Sequence, residues 1–320
     1  MSPFLLAACT MVLALVAAPR LASARWVVRA PRLAVAAWLG LSGAVLLSAV
    51  FTASTLLLYW DRAHDLVKGA WHICLDALLG HHERAAQVAA VAGLTGLVLL
   101  GGRLAVNGRR LVLAARARRA ELRLAVRLGG LPSTLPGASV VRHDEPAAYL
   151  LPGLSRPGRA AEIVVTSAAV ERLRAPELAA VLAHERAHHA GHHYAITHWM
   201  RLLAAAFPPA RCFTLGRGQV DRLVELCADD TAARGTARID LARALVSMAQ
   251  PGPSGTPDGA LGARGGDSLE RLRRLLDPPP PLPWPARAAI VAATAAALAT
   301  PIAMAAFDRY VAWAPSLLPM

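Results

Sequence analysis

The sequence predicts an α-helical membrane protein of about four transmembrane helices, with a mainly α, minor β cytoplasmic domain between the third and the fourth. Three observations carry this expectation. Four apolar runs approach or exceed the length needed to cross a bilayer, in a chain of 320 residues that is 55% hydrophobic. Residues 103–285 are polar enough and long enough to build a core of their own. Arginines crowd one set of loops and spare the other, the asymmetry that orients membrane proteins.

The first run, Phe4 to Ala18, is short but uncharged, and residues 1–32 read as a span followed by a basic loop. A cleavable signal peptide is the competing reading, with LASA at Leu21 to Ala24 resembling a cleavage site. The chain lacks the positive start such a peptide carries, and a lipoprotein-like LAAC at Leu6 to Cys9 would leave too short a leader. Residues 33–60 form a second span, long enough to tilt, and residues 85–102 a third. The fourth, 286–307, contains Pro301, a kink that neighbouring helices tolerate. Trp284 at one end, and Tyr310 and Trp313 at the other, suit interfacial anchors, with a short tail at 308–320.

Orientation follows from charge. The first loop holds Arg20, Arg25, Arg29 and Arg32 and no acid, whereas the 61–84 loop balances Asp61, Asp65, Asp76 and Glu83 against Arg62, Lys68 and Arg84. Eight arginines then follow the third span between Arg103 and Arg127. The positive-inside rule places the first loop and residues 103–285 in the cytoplasm, and the 61–84 loop and the tail outside. The net charge of +13 thus reads as topology and contact with membrane lipid, and no direct nucleic-acid partner is expected. Cys9, Cys74, Cys212 and Cys227 show no paired spacing, so neither a disulfide framework nor a cysteine zinc cluster is indicated.

Within the domain a basic helix, Arg103 to Leu128, is followed by the breaker GGLPSTLPG. Strand-like stretches lie at Ala138 to Arg142, Ala147 to Leu151 and Glu162 to Thr166. The segment RAPELAAVLAHERAHHA reads as a helix, with Pro176 and Glu177 in its first turn and Gly191 as its stop. Gln250 to Gly266 has the composition of a loop.

The chemistry is concentrated in HERAH, His184 to His188. Histidines four apart share one helix face, so both imidazoles can reach a single zinc. Glu185, offset from that face, can act as general base toward a water on the metal. Catalytic zinc usually takes a third protein ligand. An HExxHxxGxxH pattern fits at Gly191 but ends on Tyr194, and His193 is one residue short. His192 lies beyond the break at Gly191, and His189 points to another face. The better candidate is Glu225, in VELCADDTA, with Asp221 and Asp229 four before and four after it on one helix face. His193 or Tyr194 is a candidate donor to the oxyanion formed in hydrolysis.

These two segments, LAAVLAHERAHHAGHH and LVELCADDTA, resemble the gluzincin-type (HExxH…ExxxD) membrane metallopeptidases of the BlaR/MecR antirepressor family, and more distantly HtpX and the CAAX-prenyl proteases. The resemblance implies a zincin-like metalloprotease fold, a Zn2+ cofactor held by His184, His188 and Glu225, Glu185 as catalytic base, and Asp229 supporting the ligands. It implies a zinc metalloendopeptidase that cleaves a cytoplasmic or membrane-proximal protein, such as a BlaI-type transcriptional repressor, in signal transduction. That family continues into an extracellular penicillin-binding sensor, whereas this sequence ends soon after the fourth run, so β-lactam sensing is not expected of it. An HtpX-like quality-control protease and a catalytically silent zinc-bearing sensor are the alternatives. A peptide substrate would pair with an edge strand, for which Ala147 to Leu151 is the candidate.

Overall fold

The computed structural model describes residues 3–58, 82–132, 135, 137–151, 162–249 and 265–313. Most of the 61–84 loop with Cys74, most of the 250–266 loop and the last residues of the tail lie outside the described residues.

Four helices are long and apolar enough to cross a membrane. Helix α1 covers Pro3–Ala22 and passes through a π-helical stretch at Leu13–Ala17. Helix α2 covers Pro31–Leu58, α3 His82–Gly129, and the last helix, α10, Trp284–Trp313. Of their apolar windows, that of α2 is 56% buried, against 11%, 11% and 6% for the others. So α2 is the central span, and α1, α3 and α10 pack around it. Small residues allow these crossings to be close. A Cβ on Gly93 of α3 would lie 2.5 Å from the carbonyl oxygen of Ala53, and one on Gly40 of α2 would strike Thr294 of α10.

The third span and the basic helix turn out to be one continuous helix of 48 residues. Gly101 and Gly102 each cost about 1 kcal/mol in a helix, and no proline follows them before Pro132, so propagation continues to Gly129. The far half of α3 packs against the domain, where the Arg119 guanidinium donates to the Tyr194 hydroxyl at 3.1 Å.

A four-stranded sheet, in the order β1-β2-β4-β3, follows. It comprises β1 (Gly130–Leu131), β2 (Ala138–Val141), β3 (Ala148–Leu151) and β4 (Glu162–Thr166). Strand β2 runs parallel to β4, with Val140 opposite Val165, while β1 and β3 are antiparallel to their neighbours. The sequence reading expected three of these strands; β1 falls in the stretch read as a breaker. Two residues suffice for it because Gly130 and Leu131 need only pair with Val141 and Val140. Strand β3 lies at the edge of the sheet.

Helices α4 (Ser167–Arg172), α5 (Ala175–Ala190), α6 (His193–Ala206), α7 (Arg211–Ala232), α8 (Arg238–Ala249) and α9 (Gly265–Leu276) complete the domain. Ile163 and Val165 of β4 pack with Leu178, Val181 and Leu182 of α5. The start of α5 is as the sequence suggests: Pro176 lies in the first turn, and the Glu177 carboxylate accepts from the Arg174 amide at 3.0 Å. Gly191 ends the helix with an ordinary negative φ; His192 takes the left-handed conformation, φ 54°, that turns the chain into α6.

The domain is joined to the membrane helices in two ways. The loop between α1 and α2 is bonded to it: Arg29 donates to the carbonyl of Pro280 at 3.1 Å, Arg32 to the Thr231 hydroxyl at 2.8 Å, and Arg274 to the carbonyl of Val28 at 2.9 Å. That loop and the domain are therefore held against each other. The second junction is apolar. Trp38, Leu41 and Val45 of α2 share a core with Met200 and Leu203 of α6 and Phe213, Val220 and Leu223 of α7. Gly216 permits this approach, since a Cβ there would meet the Met200 methyl at 2.7 Å and the Trp38 ring at 3.0 Å. Gly216→Leu should destabilise the protein by about 1–3 kcal/mol through overpacking. The expected reading is a lower thermal midpoint in detergent, while Gly218→Leu, which meets nothing within 4 Å, leaves it in place.

Candidate metal centre

The 3.6-residue period of α5 puts His184 and His188 one turn apart, their Nε2 atoms 3.1 Å from each other. Helix α7 crosses beside them and brings Glu225, whose Oε2 lies 3.5 Å from His184 Nε2 and whose Oε1 lies 3.5 Å from His188 Nε2. These three residues can each direct one ligand atom to a common point, all within 4.8 Å of one another. Tetrahedral zinc with bonds of 2.0–2.1 Å separates its ligand atoms by about 3.3 Å. The separations found here bracket that value, and two imidazoles with one carboxylate are a donor set zinc takes, so the residues fit the ion.

Around this trio the polar groups are arranged in depth. Asp229, one turn after Glu225 and 1% exposed, places Oδ1 2.9 Å from Nδ1 of His184, the nitrogen facing away from the trio. His193 plays the corresponding part for His188, their Nδ1 atoms 3.0 Å apart. A group bonded to the rear nitrogen selects the tautomer whose front nitrogen is free to bind a metal. Arg271, from α9, donates to both carboxylates: its Nε and Nη2 reach Asp229 at 2.8 Å each, and its Nη1 lies 2.9 Å from Glu225. Helix α9 is itself fixed by Arg222, which donates to Glu270 at 2.7 Å, and by Arg274, which donates to Asp230 at 2.7 Å.

The electrostatics follow from these contacts. Burial alone would raise the Glu225 carboxyl, but His184 and Arg271 hold it down to about 2. Asp229 is likewise held below the usual carboxylate range, despite burial, by His184 and Arg271. Burial opposes charge on His184, yet Asp229 and Glu225 raise it to about 9. His188 has no carboxylate behind it, and burial lowers it to about 4. Glu185 is pushed up by burial to about 7, close to the value that serves a general base near neutral pH. Its carboxylate takes a backbone hydrogen bond from Leu150, so the edge strand β3 runs beside it.

The structure thus gathers His184, Glu185, His188, Glu225 and Asp229 as the sequence reading grouped them. His193 and Tyr194, the candidate oxyanion donors, make other contacts. After the turn at His192, the His193 ring lies behind His188 and not before the trio. The Tyr194 hydroxyl accepts from Arg119, and its ring stacks on His198 at 4.4 Å. Asp221 faces Arg201 and Arg217 instead of the centre. His189 and His192 are exposed and outside the trio.

Arg271 was missed. Its signal was indirect: the buried Asp229 and the half-buried Glu225, one turn apart on α7, call for a cation, and SLERLRR is an amphipathic arginine-rich segment downstream. Replacing Arg271 by Met leaves His184 alone to compensate the two carboxylates and should cost about 3 kcal/mol. The loss, read by thermal unfolding, should be largest after chelator treatment, when no bound cation shares the work.

The profile of peptidase family M48 matches residues 113–289, more than half of the chain. No curated protein and no solved structure shows significant similarity. The match begins within the far half of α3 and ends at the start of α10, taking in the whole sheet, both ligand-bearing helices and Arg271. The chain belongs to peptidase family M48, a family of metallopeptidases that are typically zinc-dependent.

Proposed function

We propose that this protein is a membrane-embedded zinc endopeptidase that cleaves a cytoplasmic or membrane-proximal protein in regulatory signalling. The observation that carries the reading is the convergence of His184, His188 and Glu225 at zinc-like separations, with Glu185 and an edge strand alongside. His184, His188 and Glu225 hold the ion, and Asp229 and His193 fix the two imidazoles from behind. A bound zinc supplies Lewis-acid polarisation of the scissile carbonyl and acidifies an attacking water. Glu185 accepts the proton of that water and delivers it to the amine that leaves. The substrate lies extended along β3, whose outer edge offers main-chain donors and acceptors. Leu150 on that strand steers the Glu185 carboxylate, so the base and the bound peptide are held in one register.

The BlaR/MecR resemblance supports the regulatory role and a transcriptional repressor as substrate. The test compares protein N-termini in cells carrying the intact protein and its Glu185→Gln variant at equal membrane levels. New termini that require Glu185 on one cytoplasmic regulator are expected. Termini scattered over many damaged membrane proteins would point instead to an HtpX-like quality-control role, and identical termini in both cells would sink the peptidase reading.

A further inference from the structure

The hairpin formed by α6 and α7 extends toward the membrane helices, and its tip is the segment Phe207–Phe213. Phe207, Ala210, Cys212, Phe213 and Leu215 share one apolar cluster with Leu13, Ala14 and Ala17 of α1 and with Trp38, Leu41 and Val45 of α2. Those α1 and α2 residues lie inside the apolar windows of the first and second spans. A residue packed against part of a spanning helix shares the depth of that part. The contact is repeated along the hairpin: Met200 Sδ lies 3.6 Å from the Ser42 hydroxyl, Gly216 sits on Trp38, and Leu202 approaches Gly108 of α3.

We propose that this hairpin is a re-entrant element whose tip sits in the lipid bilayer, at the boundary between headgroups and acyl chains. Backbone in lipid must satisfy its own amides, since unpaired groups there cost several kcal/mol each. The turn meets much of this demand. Pro208 and Pro209 have no N–H to satisfy. The amides of Phe207, Ala210 and Phe213 bond to the carbonyls of Leu203, Phe207 and Ala210 at 3.0, 3.0 and 2.9 Å. Pro208 and Pro209 are exposed and give the bend an apolar outer surface beside Arg211. Arg211, also exposed, has the long stem that lets a guanidinium reach phosphate from below the headgroups. Two turns up α6, Trp199 is 39% exposed, the residue type that collects at the membrane–water boundary.

The placement has a corollary for substrate, which rests on the peptidase reading above. From Arg211 to Glu225 the helix rises roughly 21 Å at 1.5 Å per residue. An extended chain covers that height in about six residues. The protein would therefore cut within a short stretch of the bilayer surface, in the juxtamembrane segments of other membrane proteins or in proteins drawn to that surface.

The full chain, with its native cysteines changed to Ala, is reconstituted in liposomes of phosphatidylethanolamine and phosphatidylglycerol. A nitroxide is attached at Pro209→Cys or at Arg211→Cys, and at Gly235→Cys in the exposed turn after α7 as the aqueous reference. Retention of zinc shows that each variant is folded, and two tip positions guard against the loss of one. Collisions with oxygen should exceed those with a water-soluble nickel chelate at the tip, and the order should invert at 235. Preferential collision with nickel at both tip positions would place the hairpin in water and overturn the proposal. So would low collision with both reagents, which would mean that protein covers the tip. None of these readings depends on cleavage, so they stand apart from the fate of the peptidase assignment.

Discussion

Glu185→Gln will lower peptide-bond cleavage by roughly 10²–10⁴-fold, the range a positioned general base contributes, and will leave zinc content unchanged. Glutamine keeps the shape of the side chain, and its amide oxygen can still accept from the Leu150 backbone, as the carboxylate does. What it cannot do is take a proton from water. The three ligand atoms are untouched, because Glu185 is not among those that converge with His184 and His188. Both quantities can be measured on one preparation, cleavage of a reporter peptide and metal per chain. A variant that cuts at the intact rate would remove Glu185 from the chemistry, and one that loses its metal would make it a structural group instead.

The second large effect is expected at Glu225. Changing it to Gln removes the only charged ligand and replaces a carboxylate oxygen by a weaker donor. Zinc affinity should fall by more than the roughly 10–100-fold that follows loss of a group merely behind a ligand. Arg271 still has Asp229 to bond, through two contacts at 2.8 Å, so the fold should outlast the site. Competition with a chromogenic chelator reads the affinity, and thermal unfolding of the metal-free protein reads the fold. If Glu225→Gln holds zinc as tightly as the intact chain, the trio is not the metal centre.

Local patterns were legible in the sequence to the extent that their cause is local. The i, i+4 spacing of His184 and His188 places them on one face because a helix turns every 3.6 residues, whatever surrounds it. Glu225 and Asp229 obey the same rule on α7. Apolar length alone marked the four spanning helices, although it could not say that α2 is the central one, which depends on Trp38 meeting Met200 and Gly216. Contacts between distant segments left little trace. Arg271 reaches Asp229 across 42 residues, and nothing in SLERLRR distinguishes it from its arginine neighbours until the fold brings α9 over α7. The placement of His193 was illegible for a related reason: the left-handed turn at His192 carries its ring beside the rear nitrogen of His188. Strand β1 was hidden because two residues carry no periodicity, only a partner in β2.

The bonds from Arg29 and Arg32 to the domain also set an order of events during synthesis. Arg29 meets the carbonyl of Pro280 across 251 residues, and that carbonyl does not exist until those residues have been made. At 5–20 residues per second the wait is roughly 12–50 s. Arg32 gains Thr231 before Arg29 gains Pro280, and Asp229 has been made before the arginine that will neutralise it. Assembly of the centre is thus timed by the ribosome: the two helices that carry the histidines and Glu225 emerge first, and Arg271 and the Pro280 carbonyl follow.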